Sequence, residues 1–257
     1  MPGSAEDKST QIGLDDVALF RFAMLPQPND QTCGPTSLHA VYRFFNDDIS
    51  LEETVNSVTS IPTGGTVSAA LGTHALSRGY SATLYTYNLH VFDPTWFLPG
   101  VNLDDKLKQR RQAFRGSRKH CVTIDHYRHF LALGGRIMFQ DLTAGLLRDI
   151  LKRRLPILTG LCATYLYQCA RERTENDHEI YDDVRGESCG HFVVLNGYDP
   201  GRRRVAIADP LANNPGFGVQ HYTVSIDRLI VSIILGVVTF DANLLVIEPG
   251  LSRRTLR

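Results

Sequence analysis

An α+β fold is predicted for this 257-residue chain, with helices first and a mostly antiparallel sheet later. Three observations carry the prediction. Leu38, Val41, Tyr42 and Phe45 follow Cys33 in the i, i+3, i+4, i+7 rhythm of one buried helical face. His191-Phe192-Val193-Val194-Leu195 is the apolar, β-branched run of a buried strand. Asp199-Pro200-Gly201 is a turn signal, and Arg204-Val205-Ala206-Ile207-Ala208 after it reads as a second strand, so the two runs form a hairpin.

The elements follow in order. Residues 1–20 read as a loose arm, of which 1–16 are polar and lack the apolar core of a signal peptide. The Cys33 helix comes next, with Pro35 in its first turn, where a missing N–H costs nothing. Ser50-Leu51-Glu52-Glu53 is a capping box that starts a second helix. Thr66–Ser77 reads as a third helix, stopped by Gly79. Ser81–Tyr87 reads as a strand at a sheet edge. Gln140–Arg154 is read as a helix with basic residues in its last turn, where the dipole favours them. Pro156–Ala163 reads as a buried strand, Ser225–Leu235 as a helix and Leu244–Glu248 as a closing strand. Residues 21–250 are expected to form one domain, with insertions at 88–125 and 170–188 and a tail at 251–257.

Composition narrows the function classes. Hydrophobic residues make up 43% of the chain, ordinary for a globular protein. Basic and acidic residues balance at 27 each, which argues against a nucleic-acid partner. The apolar run Leu229–Val238 is too short to span a bilayer, so no membrane partner is expected. Five cysteines without metal-like spacing suggest a reduced, cytoplasmic protein. His126 and His129 stand three apart on an expected helix, but lack a third ligand nearby. No metal and no cofactor is expected. Residues 106–119 carry seven basic residues and no acidic one, whereas 172–187 carry seven acidic and two basic. Such runs are usually solvated surface. The acidic run leads straight into His191, so it also reads as a lid or specificity loop beside the site.

The candidate site lies in two short stretches. Cys33 sits at a helix N-terminus, where free N–H groups and the helix dipole favour a thiolate nucleophile. Gln27, on the loop before it, could aim its amide at a developing oxyanion together with the Cys33 backbone N–H. Gln31, two residues before the cysteine, competes for that role, and spacing favours Gln27. His191 begins one strand of the hairpin and Asp209 ends the next, so both fall at one end of the sheet. A carboxylate there can fix the imidazole tautomer while the other ring nitrogen faces a thiol. Taken singly, each residue has a plainer reading: a free cysteine is usually a small buried hydrophobe, a histidine at a strand end a core residue, an aspartate before proline a turn former.

These residues resemble the C39-type peptidases, a branch of the papain-like cysteine proteases. The matching pattern is Gln27…Cys33-Gly34-Pro35-Thr36-Ser37-Leu38, then Gly190-His191-Phe192-Val193-Val194 with Gly197-Tyr198-Asp199, then Asp209-Pro210. The resemblance implies that Gln27, Cys33, His191 and Asp209 are oxyanion residue, nucleophile, general base and orienting acid. It implies a papain-like fold, in which a helical part carrying the cysteine packs on a mostly antiparallel sheet carrying the histidine and aspartate. Gly64-Gly65-Thr66, Leu71, Ala75 and Arg78-Gly79-Tyr80 are similar to the family's helix leading into a strand. Residues 152–158 are similar to its strand opening, with Arg154 where glycine is usual. The implied activity is a cysteine peptidase cleaving a peptide or isopeptide bond through a thioester. An acyltransferase or amidase on the same residues, or a catalytically idle peptide-binding module, are the alternatives.

Overall fold

The computed structural model describes residues 20, 22–60, 65–175, 178–240 and 242–250. The expected tail at 251–257 and all but the last residue of the expected arm lie outside them. That last residue, Phe20, is a core residue: it is 1% exposed, packs on Phe44, and its N–H donates to the Asn196 carbonyl at 2.9 Å.

The architecture is mixed α+β around one seven-stranded sheet. In chain order its strands are β1 (Tyr80–Thr86), β2 (Arg136–Met138), β3 (Ile157–Cys162), β6 (Gly190–Asp199), β7 (Arg204–Ala208), β8 (His221–Ser225) and β9 (Asn243–Pro249). A separate hairpin pairs β4 (Glu172–Glu175) with β5 (His178–Tyr181). The order across the sheet is β2-β1-β9-β3-β6-β7-β8, and every pairing is antiparallel except β1 with β2.

Alternation along the strands divides the core in two, as a sheet covered on both faces requires. Phe192, Val194, Leu158, Leu245 and Ile247 meet Leu38 and Val41 of α1 (Cys33–Phe44), Leu71 of α3 (Ser68–Ser77) and Ile124 of α5 (Arg118–Ala132). Val193, Leu195, Ile157, Leu244 and Val246 meet Leu147 and Leu151 of α6 (Ala144–Lys152), Leu166 of α7 (Ala163–Tyr167) and Leu229 and Ile233 of α8 (Ile226–Leu235). The helix α2 (Leu51–Ser57) lies beside α1, its start capped by Ser50, whose hydroxyl accepts from the Glu53 N–H at 3.0 Å.

The sequence expectations need several corrections. The strand over 80–86 is not at an edge; it pairs with β9 on one side and β2 on the other. The edge belongs to β2, whose three residues are too few to show a period. The helix expected from Gln140 starts at Ala144, because the Thr143 hydroxyl accepts from the Leu146 N–H and fixes the N-terminus there. The helix expected from Thr66 starts at Ser68. Residues 88–125 contain α4 (Leu103–Ala113) and give Val91, Phe92, Leu107 and Ile124 to the core. Arg154 has φ of 58°, the left-handed conformation that explains why glycine would suit that position.

Candidate active site

The site is assembled where α1 meets the start of β6 and the end of β7. Two contacts fix α1 there. The buried Ser37 hydroxyl donates to the Phe192 carbonyl at 3.2 Å. Gly34 packs so closely that a Cβ would stand 3.3 Å from both Phe192 and Leu71. Cys33 is the first residue of α1 and is buried at 9% exposure, four residues before the Ser37 that bonds β6.

Strand register brings the histidine and aspartate together. Val194 faces Ala208, so the next pair along is Val193 and Asp209. His191 lies two residues further on the same face, making it a diagonal neighbour of Asp209. A β-bulge between Leu195 and Gly197 produces this phase. Beyond the bulge Gly197 faces Ala206; carried on unbroken, that register would set Asp209 opposite Val194, on the other face from His191. The extra residue is Asn196, whose backbone carbonyl and side-chain Nδ2 both bond the backbone of Phe20, at 2.9 and 3.1 Å.

His191 Nε2 lies 2.9 Å from Asp209 Oδ1, and the Asp209 side chain has no exposure. An ionised carboxylate only accepts, so Nε2 carries the hydrogen and Nδ1 remains for the Cys33 sulfur, which also interacts with this ring. Asp209 accepts three further bonds: Leu211 N–H on Oδ1 at 2.9 Å, and the Tyr167 and Tyr222 hydroxyls on Oδ2 at 2.8 and 2.6 Å. Burial alone would lower the His191 pKa; the charge and hydrogen bond of Asp209, then the Cys33 sulfur, outweigh it and lift the imidazole to about 10. Burial would raise Asp209, but the charge of His191 and the hydrogen bonds from His191, Tyr222 and Leu211 hold it below the usual carboxylate range. An imidazole held this way can take the thiol proton and keep it as an imidazolium.

Gln27 is anchored to the same structure, since its N–H donates to the Pro210 carbonyl at 2.9 Å, one residue from Asp209. Its side chain is half-buried, and Oε1 is out of solvent with no partner among the described residues. Gln31 is exposed, and its N–H is taken by the Asn29 side chain at 3.0 Å. Tyr167 and Tyr222 were not legible as site residues. They reach Asp209 from 42 and 13 residues away, and no local motif marks them.

The surroundings are chemically varied. Cys162 pairs with Gly190, next to His191, and lines a cavity of about 510 Å³ with Tyr165, Cys169, Arg171, Asp183 and Val238. Cys189 is half-buried; burial and the nearby Glu172 push its thiol up. All five cysteines are free thiols. A second cavity of about 400 Å³ lies between α2, α3 and α5 and includes His74, His126 and His129, but none of Gln27, Cys33, His191 or Asp209 lines it. Among the described residues no group of three or more His, Cys, Asp or Glu could hold a metal ion.

The acidic stretch forms the β4–β5 hairpin and its return. Arg173 bridges Glu175 and Asp182 at 3.1 and 2.9 Å, and Arg185 joins Asp182 at 2.7 Å. The basic stretch pairs around α4 and α5, Lys108 with Asp104 at 2.8 Å and Arg111 with Asp125 at 2.7 Å. Among the described residues no helix is long and apolar enough to cross a membrane.

No family model matches the chain, and no curated protein matches it. Thirteen solved chains are similar to it, and two of them illustrate the likeness. One is a candidate C39-like peptidase from Bacillus anthracis, 13% identical over 91% of this chain and 98% of that one, with a TM-score of 0.49. The other is xylellain, a cysteine protease from Xylella fastidiosa, 14% identical over 96% of this chain and 94% of that one, with a TM-score of 0.40. Both likenesses concern architecture, and the chemistry of this chain rests on its own residues.

Proposed function

We propose that the protein is a cysteine peptidase, a thiol hydrolase that cleaves a peptide or isopeptide bond through a Cys33 thioester. One observation carries the reading: a cysteine at a helix N-terminus interacts with a histidine whose other ring nitrogen is 2.9 Å from a fully buried aspartate. In the cycle, the Cys33 thiolate attacks the carbonyl while His191 holds the proton. The Cys33 N–H and Gln27 stabilise the oxyanion, His191 protonates the leaving amine, and water releases the acid. Water and an amine compete for the same thioester, so acyl transfer shares every residue up to that point. The free thiols fit a reducing compartment such as the cytoplasm.

The test is intact-protein mass spectrometry after brief, limiting iodoacetamide from pH 5 to 9, for wild type and His191→Ala. The expected result is a single alkylation, mapped to Cys33, that occurs well below pH 8 and needs His191. Alkylation of Cys33 no faster than that of the other four cysteines would leave a peptide-binding module as the better description.

A further inference from the structure

We propose that Tyr167 and Tyr222 are positioning residues of this site: their hydroxyls hold Oδ2 of Asp209, keeping that buried carboxylate ionised and turned so that Oδ1 meets His191. The proposal rests on the reading of Cys33 and His191 as nucleophile and base.

A carboxylate offers about four lone-pair positions, and Asp209 has four donors: His191 and Leu211 on Oδ1, Tyr167 and Tyr222 on Oδ2. The side chain is wholly out of solvent, where an underbonded carboxylate takes up a proton instead of staying charged. A protonated Asp209 would no longer hold the Nε2 hydrogen of His191, and the ring would lose the tautomer that turns Nδ1 to Cys33. The titratable groups facing Asp209 are His191 from β6, Tyr167 from α7 and Tyr222 from β8, with Cys33 of α1 beyond the histidine ring. Burial and the Asp209 charge push both phenols well above their usual range, so both remain donors.

The tyrosines are themselves held in place by one loop, residues 210–220. Phe217 stacks on Tyr222 at 3.8 Å and meets Tyr167 edge-on at 6.5 Å. Gly216 lies against the Tyr167 backbone so closely that a Cβ would stand 2.8 Å from Tyr167 Cα. The buried Asn214 ties the loop together, accepting from the Phe217 N–H at 2.8 Å and donating to the Val219 and Leu211 carbonyls at 2.7 and 3.3 Å. Leu211 at the start of this loop and Tyr222 just beyond its end are thus both donors to Asp209.

The experiment follows the ¹³C carboxyl resonance of Asp209, assigned with Asp209→Asn, through an acid titration of wild type, Tyr167→Phe, Tyr222→Phe and the double variant. Cys33 alkylation is measured over the same range. In wild type the carboxyl should stay ionised to the acid limit of the fold. Each lost hydroxyl should raise its midpoint by about one to two pH units, the worth of a hydrogen bond to a charged group. His191-dependent alkylation of Cys33 should then fail at correspondingly higher pH. A carboxyl that titrates in all three variants as in wild type overturns the proposal. If the phenylalanine variants do not fold, 3-fluorotyrosine at 222 preserves the shape. Its ¹⁹F titration should lie above that of free fluorotyrosine and drop back in Asp209→Asn; equal midpoints in the two backgrounds overturn the proposal. If the carboxyl midpoint moves but wild-type Cys33 shows no His191-dependent reactivity, the catalytic reading falls, and the positioning role with it.

Discussion

Asp209→Asn removes one charge with almost no change of shape, and its consequence can be worked from the contacts. Asparagine keeps one acceptor oxygen for the Leu211 N–H and His191 Nε2, each 2.9 Å from Oδ1. Its amide N–H₂ can face the Tyr167 and Tyr222 hydroxyls, which rotate to accept. Packing is therefore preserved, and the loss is electrostatic. The charge and hydrogen bond of Asp209 are the main influences that lift His191 to about 10; without that charge, burial is opposed chiefly by the Cys33 sulfur and the imidazole moves down. The imidazolium then loses its hold as the resting form at neutral pH, by about 1.4 kcal/mol for each pH unit the imidazole falls. A thiol without that partner is only about 0.3% ionised at pH 6. Alkylation of Cys33 at pH 6 should therefore fall roughly 300-fold, and the two curves should converge above about pH 9, where an ordinary thiol is largely ionised. The assay is the iodoacetamide rate at Cys33 read by peptide mass spectrometry, with circular dichroism to establish folding. A folded Asp209→Asn protein with the wild-type rate at pH 6 would refute the reasoning, because Cys33 would then owe its reactivity to something other than the His191–Asp209 pair.

Gln27→Ala should slow turnover of an activated ester about 100-fold, the usual cost of one oxyanion donor, while Gln31→Ala, at an exposed position, should leave it within a few-fold; the opposite ranking would reassign the oxyanion role. Because the folded-state pKa of His191 is raised, its stabilising contribution is complete below pH 6.5 and disappears as pH rises through about 10. Urea unfolding of wild type and His191→Ala should thus differ more at pH 6.5 than at pH 10, and a constant difference would count against the charged pair. Gly34→Ala places a Cβ 3.3 Å from Phe192 and Leu71, and should cost about 1–3 kcal/mol as α1 is pushed off β6; a melting temperature equal to wild type would mean that α1 is not held as tightly as this packing implies.

Much of this architecture is legible in local pattern. The α1 face reads directly from Leu38, Val41 and Tyr42, all at 0–1% exposure, and the α2 start from the Ser50 cap. The β6 run is fully buried from His191 to Tyr198, which is why no polar alternation interrupts it. What the sequence hides is set by distance. The strand β2 has three residues and a parallel partner more than fifty residues earlier, so it leaves no periodic trace. The helix α4 did carry a signal that could have located it, the Asn102 cap followed by Asp104 and Asp105 in the first turn. Tyr167 and Tyr222 carry none, because a tyrosine bonded to a buried carboxylate looks the same in sequence as one packed in a core. Gln27, Cys33, His191 and Asp209 stood out through motif spacing, whereas the groups that hold Asp209 in place became visible only in three dimensions.

The connections around the site explain why its parts occupy such separate stretches of chain. The proposed nucleophile is referenced to β6 by the Ser37–Phe192 bond and by Gly34 against Phe192. The proposed oxyanion residue is referenced to the turn after β7 by the Gln27–Pro210 bond. The phase between β6 and β7 is set by the bulge at Asn196, and Asn196 is bonded twice to Phe20, seven residues before Gln27 in the chain. Phe20 and Gln27 therefore tie the approach to α1 to β6 and to the turn after β7, and the same hairpin positions His191 against Asp209. A displacement of this segment would disturb the bulge, the glutamine and the cysteine together. In a site that depends on hydrogen bonds of 2.6–2.9 Å around Asp209, such shared anchoring converts one register choice into the placement of every proposed catalytic group.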